Sequence, residues 1–359
     1  MAEPTVRREG EWVPLTKAEF RDRFFARFYD PAFDEVAPAL EQVFEKAWDG
    51  YHVYRKSPRT QPAGPGHADP EMALPLEWLA TKAAIQAAER RHQDPASPTR
   101  ILLVNGSPRS QHTCPGEISK TRRLVERARA TLAALPGHEV DVLDVSTLAD
   151  EPLKVIYPCK ACVSTAQPLC HWPCSCYPNH ALSQAGDWMN EIYPRWSAAH
   201  GVFLTCPVHW YQAPASLKLM IDRLVCADGG NPDPTTTGGK NPLRAKELEL
   251  QGWGYPKHLA GRAFAVVAHG DAAGPENLRR MLVDWLTDIG MVQAGPAAAL
   301  DTWIGWYRPY ATSHDDLDAD AALFTQVDHA ALSLAAMVAQ LRSGSYRAPN
   351  AGLHNPREK

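Results

Sequence analysis

The chain has 359 residues, 45% of them hydrophobic and 22% charged, enough to bury a large core with additions around it. Thirty-seven basic residues against 41 acidic ones give a formal charge of -4, which argues against nucleic acid or a membrane surface as a partner. No uninterrupted apolar run reaches the roughly 20 residues of a membrane helix, and Arg7-Arg8 has no apolar stretch behind it, so a soluble, cytoplasmic protein is expected.

The first 97 residues read as a helical extension. KAEFRDRFFARFYD, PALEQVFEKAWDGY and LEWLATKAAIQAAERRHQ are helix candidates, with the breaker-rich SPRTQPAGPGHADP between the second and third. The pattern changes at Arg100. RILLVNG is an apolar run ending in glycine, as buried parallel strands are. EISKTRRLVERARATLAAL then sets Ile118, Thr121, Val125, Ala128, Leu132 and Leu135 along one helical face. HEVDVLDV, GVFLTC and RAFAVVAH read as three more strands, with APASLKLMIDRLV and PENLRRMLVDWLTDIG as helices and a weaker strand in MVQAGPAAAL. Such alternation predicts an α/β domain over residues 98–300, a doubly wound five-stranded parallel sheet in three layers. Residues 301–359 form a C-terminal extension with an aromatic stretch, TWIGWYRPY, and one helix candidate around Ala321 to Leu341.

In an open parallel sheet, ligands lie beyond the carboxyl ends of the strands, which singles out three loops. NGSPRSQHTCPGEISKT offers a glycine turn, hydroxyls at Ser107, Ser110, Thr113, Ser119 and Thr121, the cations Arg109 and Lys120, and a helix start: an anion pocket or a hydroxyl-rich cap. It is neither GxGxxG nor GxxxxGK[ST], which disfavours the usual dinucleotide and P-loop folds. TCPVHWYQAPASLKLMIDR carries His209, Trp210 and Tyr211, a ledge for a flat ring or packing for the sheet end. AHGDAAGPEN carries His269, Gly270 and Asp271. Asp222 and Arg223 read as structural, Arg223 serving a local carboxylate.

GSPR with its Ser-x-Thr helix start, followed by PVHWYQAPASLKLMIDR, resembles the flavodoxin-like NADPH-dependent FMN reductase family and its iron–sulfur flavoprotein relatives, over about Ile101 to Met291. The resemblance implies an FMN phosphate held by Ser107, Arg109, Ser119 and Thr121. It implies an isoalloxazine bordered by Pro207, Val208, His209, Trp210 and Tyr211 and reached on its other edge by His269 and Gly270. The insertion QHTCPGEI departs from the family pattern and unsettles the roles of Ser110, Thr113 and Lys120. The implied activity is NAD(P)H-dependent oxidoreduction through FMN to a quinone, a flavin or another small acceptor. An electron-transfer flavoprotein and a flavin- or metal-responsive interaction module are the alternatives, and a homo-oligomer is expected. No protein nucleophile is required, and the fourteen histidines form no recognisable triad; His209 and His269 are the candidates for polarising a carbonyl or the flavin.

Five of the eight cysteines fall in CKACVSTAQPLCHWPCSC. Cys159, Cys162, Cys170, Cys174 and Cys176 are candidate ligands of an iron–sulfur cluster or zinc, and reduced structural thiols or a reversible disulfide are the other readings. The series C-x2-C-x7-C-x3-C-x-C fits no cluster spacing closely. Cys114, Cys206 and Cys226 stand apart and read as small buried hydrophobes.

Overall fold

A computed structural model describes residues 3–113 and 116–353. These residues gather into two compact units, one of residues 1–83, 159–188 and 230–255, the other of residues 84–158, 189–229 and 256–359. The cysteine-rich stretch thus belongs to the same unit as the N-terminal helices.

The second unit is built on a parallel sheet of β1 (Thr99–Asn105), β2 (His138–Asp144), β3 (Gly201–Pro207), β4 (Ala263–Gly270), β5 (Val292–Gln293) and β6 (Ala299–Trp303). The order is β2-β1-β3-β4, after which β5 and β6 both pair with β4. β5 covers Ala263 and Phe264 and β6 covers Val266 to Gly270, so the two are one edge strand broken at Pro296–Ala298. Proline there lacks the N–H a ladder needs. Five strand positions in the order 2-1-3-4-5 are the flavodoxin-like arrangement.

β4 is buried along its whole length and β3 from Gly201 to Cys206, as strands covered on both faces must be. One face packs α1 (Lys120–Ala133), through Leu124, Val125, Ala128 and Leu132, and α6 (Ala321–Arg342), through Val327, Leu334 and Val338. α6 is long and apolar enough by composition to cross a membrane, but this apolar face is spent on the sheet. On the other side are α2 (Met189–Ala198) and α4 (Pro275–Asp288), whose Trp196 and Trp285 rings meet edge to face at 6.0 Å. Further helices of this unit include α3 (Ala215–Arg223) and α5 (Tyr310–Ala319), the latter preceding the single C-terminal helix that the sequence suggested.

The first unit has helices Lys17–Phe25 and Ala37–His52, the latter carrying the aromatic group Phe44, Trp48 and Tyr51 against which Phe20 packs, stacked on Tyr51 at 4.7 Å. The breaker-rich run is ordered in part as a ribbon, Thr60–Pro62 antiparallel to Ala73–Pro75.

Candidate functional site

Strand register brings the three loops to one edge of the sheet. Asn105 lies level with Thr205, Pro207 with His269, and His269 with Thr302, so the chain leaves β1, β3 and β4 side by side. β1 and β3 flank the point where strand order reverses, which is where a ligand is placed in this topology.

The first loop starts with a close approach. Gly106 N–H donates to the Thr205 carbonyl at 2.8 Å, and a Cβ at Gly106 would meet Leu217 Cδ2 at 2.8 Å and that carbonyl at 3.0 Å. Only glycine fits. Ser107 is buried, and its Oγ accepts from Arg109 N–H at 3.1 Å. The guanidinium of Arg109 lies over Tyr310 and donates to its hydroxyl at 3.2 Å, while its buried Nε has no partner. Ser119 caps α1 by accepting from Arg122 N–H at 3.1 Å. The insertion is tied down by Ser110, whose hydroxyl bonds Asp150 and whose N–H donates to Thr113 Oγ1 at 3.2 Å. Cys114 lies outside the described residues.

A cavity of about 630 Å³ adjoins this loop on the β2 side. Asn105, Arg109 and Ser119 line it, together with Arg122, whose charge is met by Asp144 and Glu126, and with Asp150 and Glu151.

The second loop is a two-residue hairpin. His209 and Gln212 exchange both backbone hydrogen bonds, at 2.8 and 2.9 Å, and the intervening Trp210 and Tyr211 have φ of +46° and +65°. Left-handed backbone at both central positions is the type I′ pattern, normally filled by asparagine and glycine; each bulky residue there costs on the order of 1–3 kcal/mol. Trp210 nevertheless presents 94% of its surface and Tyr211 58%, so neither packs the sheet end. Val208 N–H anchors the loop on the His269 carbonyl at 2.7 Å.

His269 links the third loop to the first. Its Nε2 and Thr121 Oγ1 are 2.8 Å apart, both side chains buried. Burial, helped by the charge of Lys120 and by His209, pushes His269 down to about 3, so the ring is neutral at ordinary pH. Burial lowers His209 too, against the pull of Asp271. Glycine at 270 and 274 makes room for the second loop: a Cβ at Gly270 would meet Val208 at 2.5 Å, and one at Gly274 would meet Tyr211 Cα at 3.2 Å. The Thr121–His269 bond joins residues 148 apart, and no sequence spacing signals it. Arg223 is buried and donates to the Tyr157 carbonyl at 2.8 Å, and its neighbour Asp222 pairs with Lys218.

Among the described residues no three His, Cys, Asp or Glu side chains are grouped so that they could hold a metal ion. Of the expected set Cys159, Cys162, Cys170, Cys174 and Cys176, the last four all act on the Lys240 ammonium. Cys159 Sγ accepts from Ala161 N–H at 3.3 Å, whereas Cys162 Sγ lies 3.2 Å from Cys176 Sγ. The positive charge these sulfurs meet is Lys240. Burial draws that ammonium down, but Cys176, Cys162, Cys174 and Cys170 outweigh it and hold Lys240 above its ordinary range. Cys162 is lowered to about 6 by its S–H···S bond with Cys176, with Lys240 assisting against burial. Cys206 and Cys226 are buried as expected.

Residues 99–304, more than half of the chain, match the family model of NADPH-dependent FMN reductases. An iron-sulfur flavoprotein of Methanosarcina thermophila is 26% identical over 196 residues, which are 55% of this chain and 77% of that protein. Among solved structures, RosB with bound 8-demethyl-8-formylriboflavin-5′-phosphate is similar with a TM-score of 0.48 at 13% identity, covering 69% of this chain and 82% of that one. Apo NADH:FMN oxidoreductase EMOB is similar with a TM-score of 0.37 at 15% identity, covering 70% and 92%. At such scores the fold rests on the strand order described above, and the family on the model match. The chain belongs to the NADPH-dependent FMN reductase family and is an NAD(P)H-dependent flavin oxidoreductase.

Proposed function

We propose that the chain takes reducing equivalents from NAD(P)H and delivers them to a planar aromatic acceptor, a quinone or a free flavin, at the carboxyl edge of its sheet. The observation that carries this reading is the exposed aromatic rim at that edge. Trp210 and Tyr211 are held outward in a strained turn, and Trp303 and Trp306, at the end of β6, are 46% and 43% exposed with rings 4.7 Å apart. Exposed aromatics in a strained loop are retained for contact with something flat.

Bound FMN supplies the redox chemistry, accepting hydride and passing electrons on. This edge suits it: Arg109 has an unpartnered buried Nε beside Ser107, the N-terminus of α1 begins behind Ser119, and Gly106 leaves backbone room. In this reading Ser107, Arg109 and Ser119 hold the phosphate. Thr121, already engaged by His269, supports that loop by fixing the histidine. Pro207, Val208, His209, Trp210, Tyr211 and Gly270 border the ring, and neutral His269 holds the neighbouring loops without carrying charge to it. The relative named as an iron-sulfur flavoprotein raises a cluster on the cysteines. Their arrangement here gives that cluster no support, and the reading keeps them as thiols.

Steady-state kinetics with a quinone and with free flavin test the acceptor. Trp210→Ala should raise the acceptor KM several-fold, leave the NAD(P)H KM unchanged and barely move stability. Equal effects on both substrates, or none on either, would count against the aromatic rim as the acceptor site.

A further inference from the structure

The first unit contains a pocket of about 450 Å³, lined by residues of that unit. Lys56, Lys160 and Lys240 line it together with Cys162, Cys176 and Asn179, and no carboxylate is among its lining residues. Three cations with no acidic counterpart select an anion. Lys240 Nζ is anchored on the Leu169 carbonyl at 2.6 Å and Lys56 on the Ser175 carbonyl, so two of the three charges are fixed in place. Asn179 is 1% exposed; its amide N–H donates to Tyr54 at 3.2 Å, while its Oδ1 has no partner. That oxygen is a ready acceptor for a ligand N–H, since a buried acceptor left unpaired costs roughly 1–3 kcal/mol.

The two sulfurs share the pocket. Cys162 is partly exposed and Cys176 is 6% exposed, and their Sγ atoms need to close from 3.2 Å to about 2.05 Å to bond. We propose that this pocket binds a small anionic disulfide of the amino-acid or peptide kind, carrying carboxylates and N–H groups, and that Cys162 and Cys176 reduce it. The carboxylates meet the lysines and an N–H meets Asn179. Cys162, the accessible sulfur beside Lys240, attacks as the thiolate, forming Cys162–S–S–R and releasing the first RS⁻. Cys176 then loses its proton and attacks the Cys162 sulfur, which breaks the mixed disulfide, releases the second RS⁻ and leaves a Cys162–Cys176 bond. The two thiols give up two electrons. Their two protons go through solvent to the two departing thiolates.

The test uses the full chain without NAD(P)H, so it is independent of the flavin chemistry. The probes are glutathione disulfide, an anion, and cystamine, a dication, each rate being normalised to that of the same disulfide with dithiothreitol. The expected result is loss of two thiols per chain, a Cys162–Cys176 link in peptide mapping, and a preference for glutathione disulfide of about 10-fold at low salt. Lys160→Glu, at an exposed position, should reduce that preference several-fold, and Cys176→Ser should stop the reaction with one glutathione held on Cys162. A different cysteine pair in the map, equal normalised rates for the two probes, or stoichiometric iron or zinc on these thiols in the purified protein would overturn the proposal.

Discussion

His269 and Gly106 show how single residues set the site. His269 is neutral because it is buried, and its folded value of about 3 lies below the ordinary 6.5. Between those values the unfolded chain takes up a proton that the folded chain refuses, so stability is full above about 6.5 and falls with acidification at up to about 1.4 kcal/mol per pH unit. His269→Gln keeps a polar partner for Thr121 and should flatten the stability profile between pH about 6.5 and 4 by close to one proton. Urea unfolding across that range reads it, and an unchanged slope would mean that the histidine is not held neutral. Gly106→Ala drives a Cβ into Leu217 and the Thr205 carbonyl. It should cost roughly 1–3 kcal/mol and weaken flavin binding, measured by thermal unfolding and by fluorescence titration. The glycine turn was legible in NGSPR, and so were the hydroxyls. The Thr121–His269 bond was not, because it depends on the sheet setting α1 beside the end of β4.

At the scale of elements, strands and helices were readable where burial imposes a pattern. RILLVNG, GVFLTC and RAFAVVAH are continuous apolar runs because both of their faces are covered, and each is a strand. The weak signal in MVQAGPAAAL has a physical origin, since Pro296 breaks the edge strand into two pieces. The hairpin after β3 was illegible as a turn. His-Trp-Tyr-Gln contains no turn-forming residue, yet Trp210 and Tyr211 adopt left-handed backbone. The double change Trp210→Asn and Tyr211→Gly should therefore raise stability by about 1 kcal/mol while lowering turnover with aromatic acceptors. Loss of stability would show that the aromatics are packing residues. The Cys162–Cys176 contact was illegible for another reason: it joins sulfurs fourteen residues apart, and no spacing in the stretch signals it.

Across the whole molecule, the two compact units divide the chemistry that the sequence presented as one line. The sheet unit carries the three loops and the aromatic rim; the other unit carries the cysteines and the lysine-lined pocket. A chain reading locates both sets of residues but not this partition, because the cysteine stretch lies between β2 and β3 in sequence. The proposed flavin site rests on loops of the sheet unit whose positions follow from strand order. Flavin binding at that edge is tested by titrating FMN into the purified chain and recording the visible spectrum before and after anaerobic NADPH or NADH. The expected result is about one flavin bound per chain and a flavin band bleached by reduced nicotinamide. A chain that takes up no FMN, or bound flavin that neither nicotinamide bleaches, would contradict it.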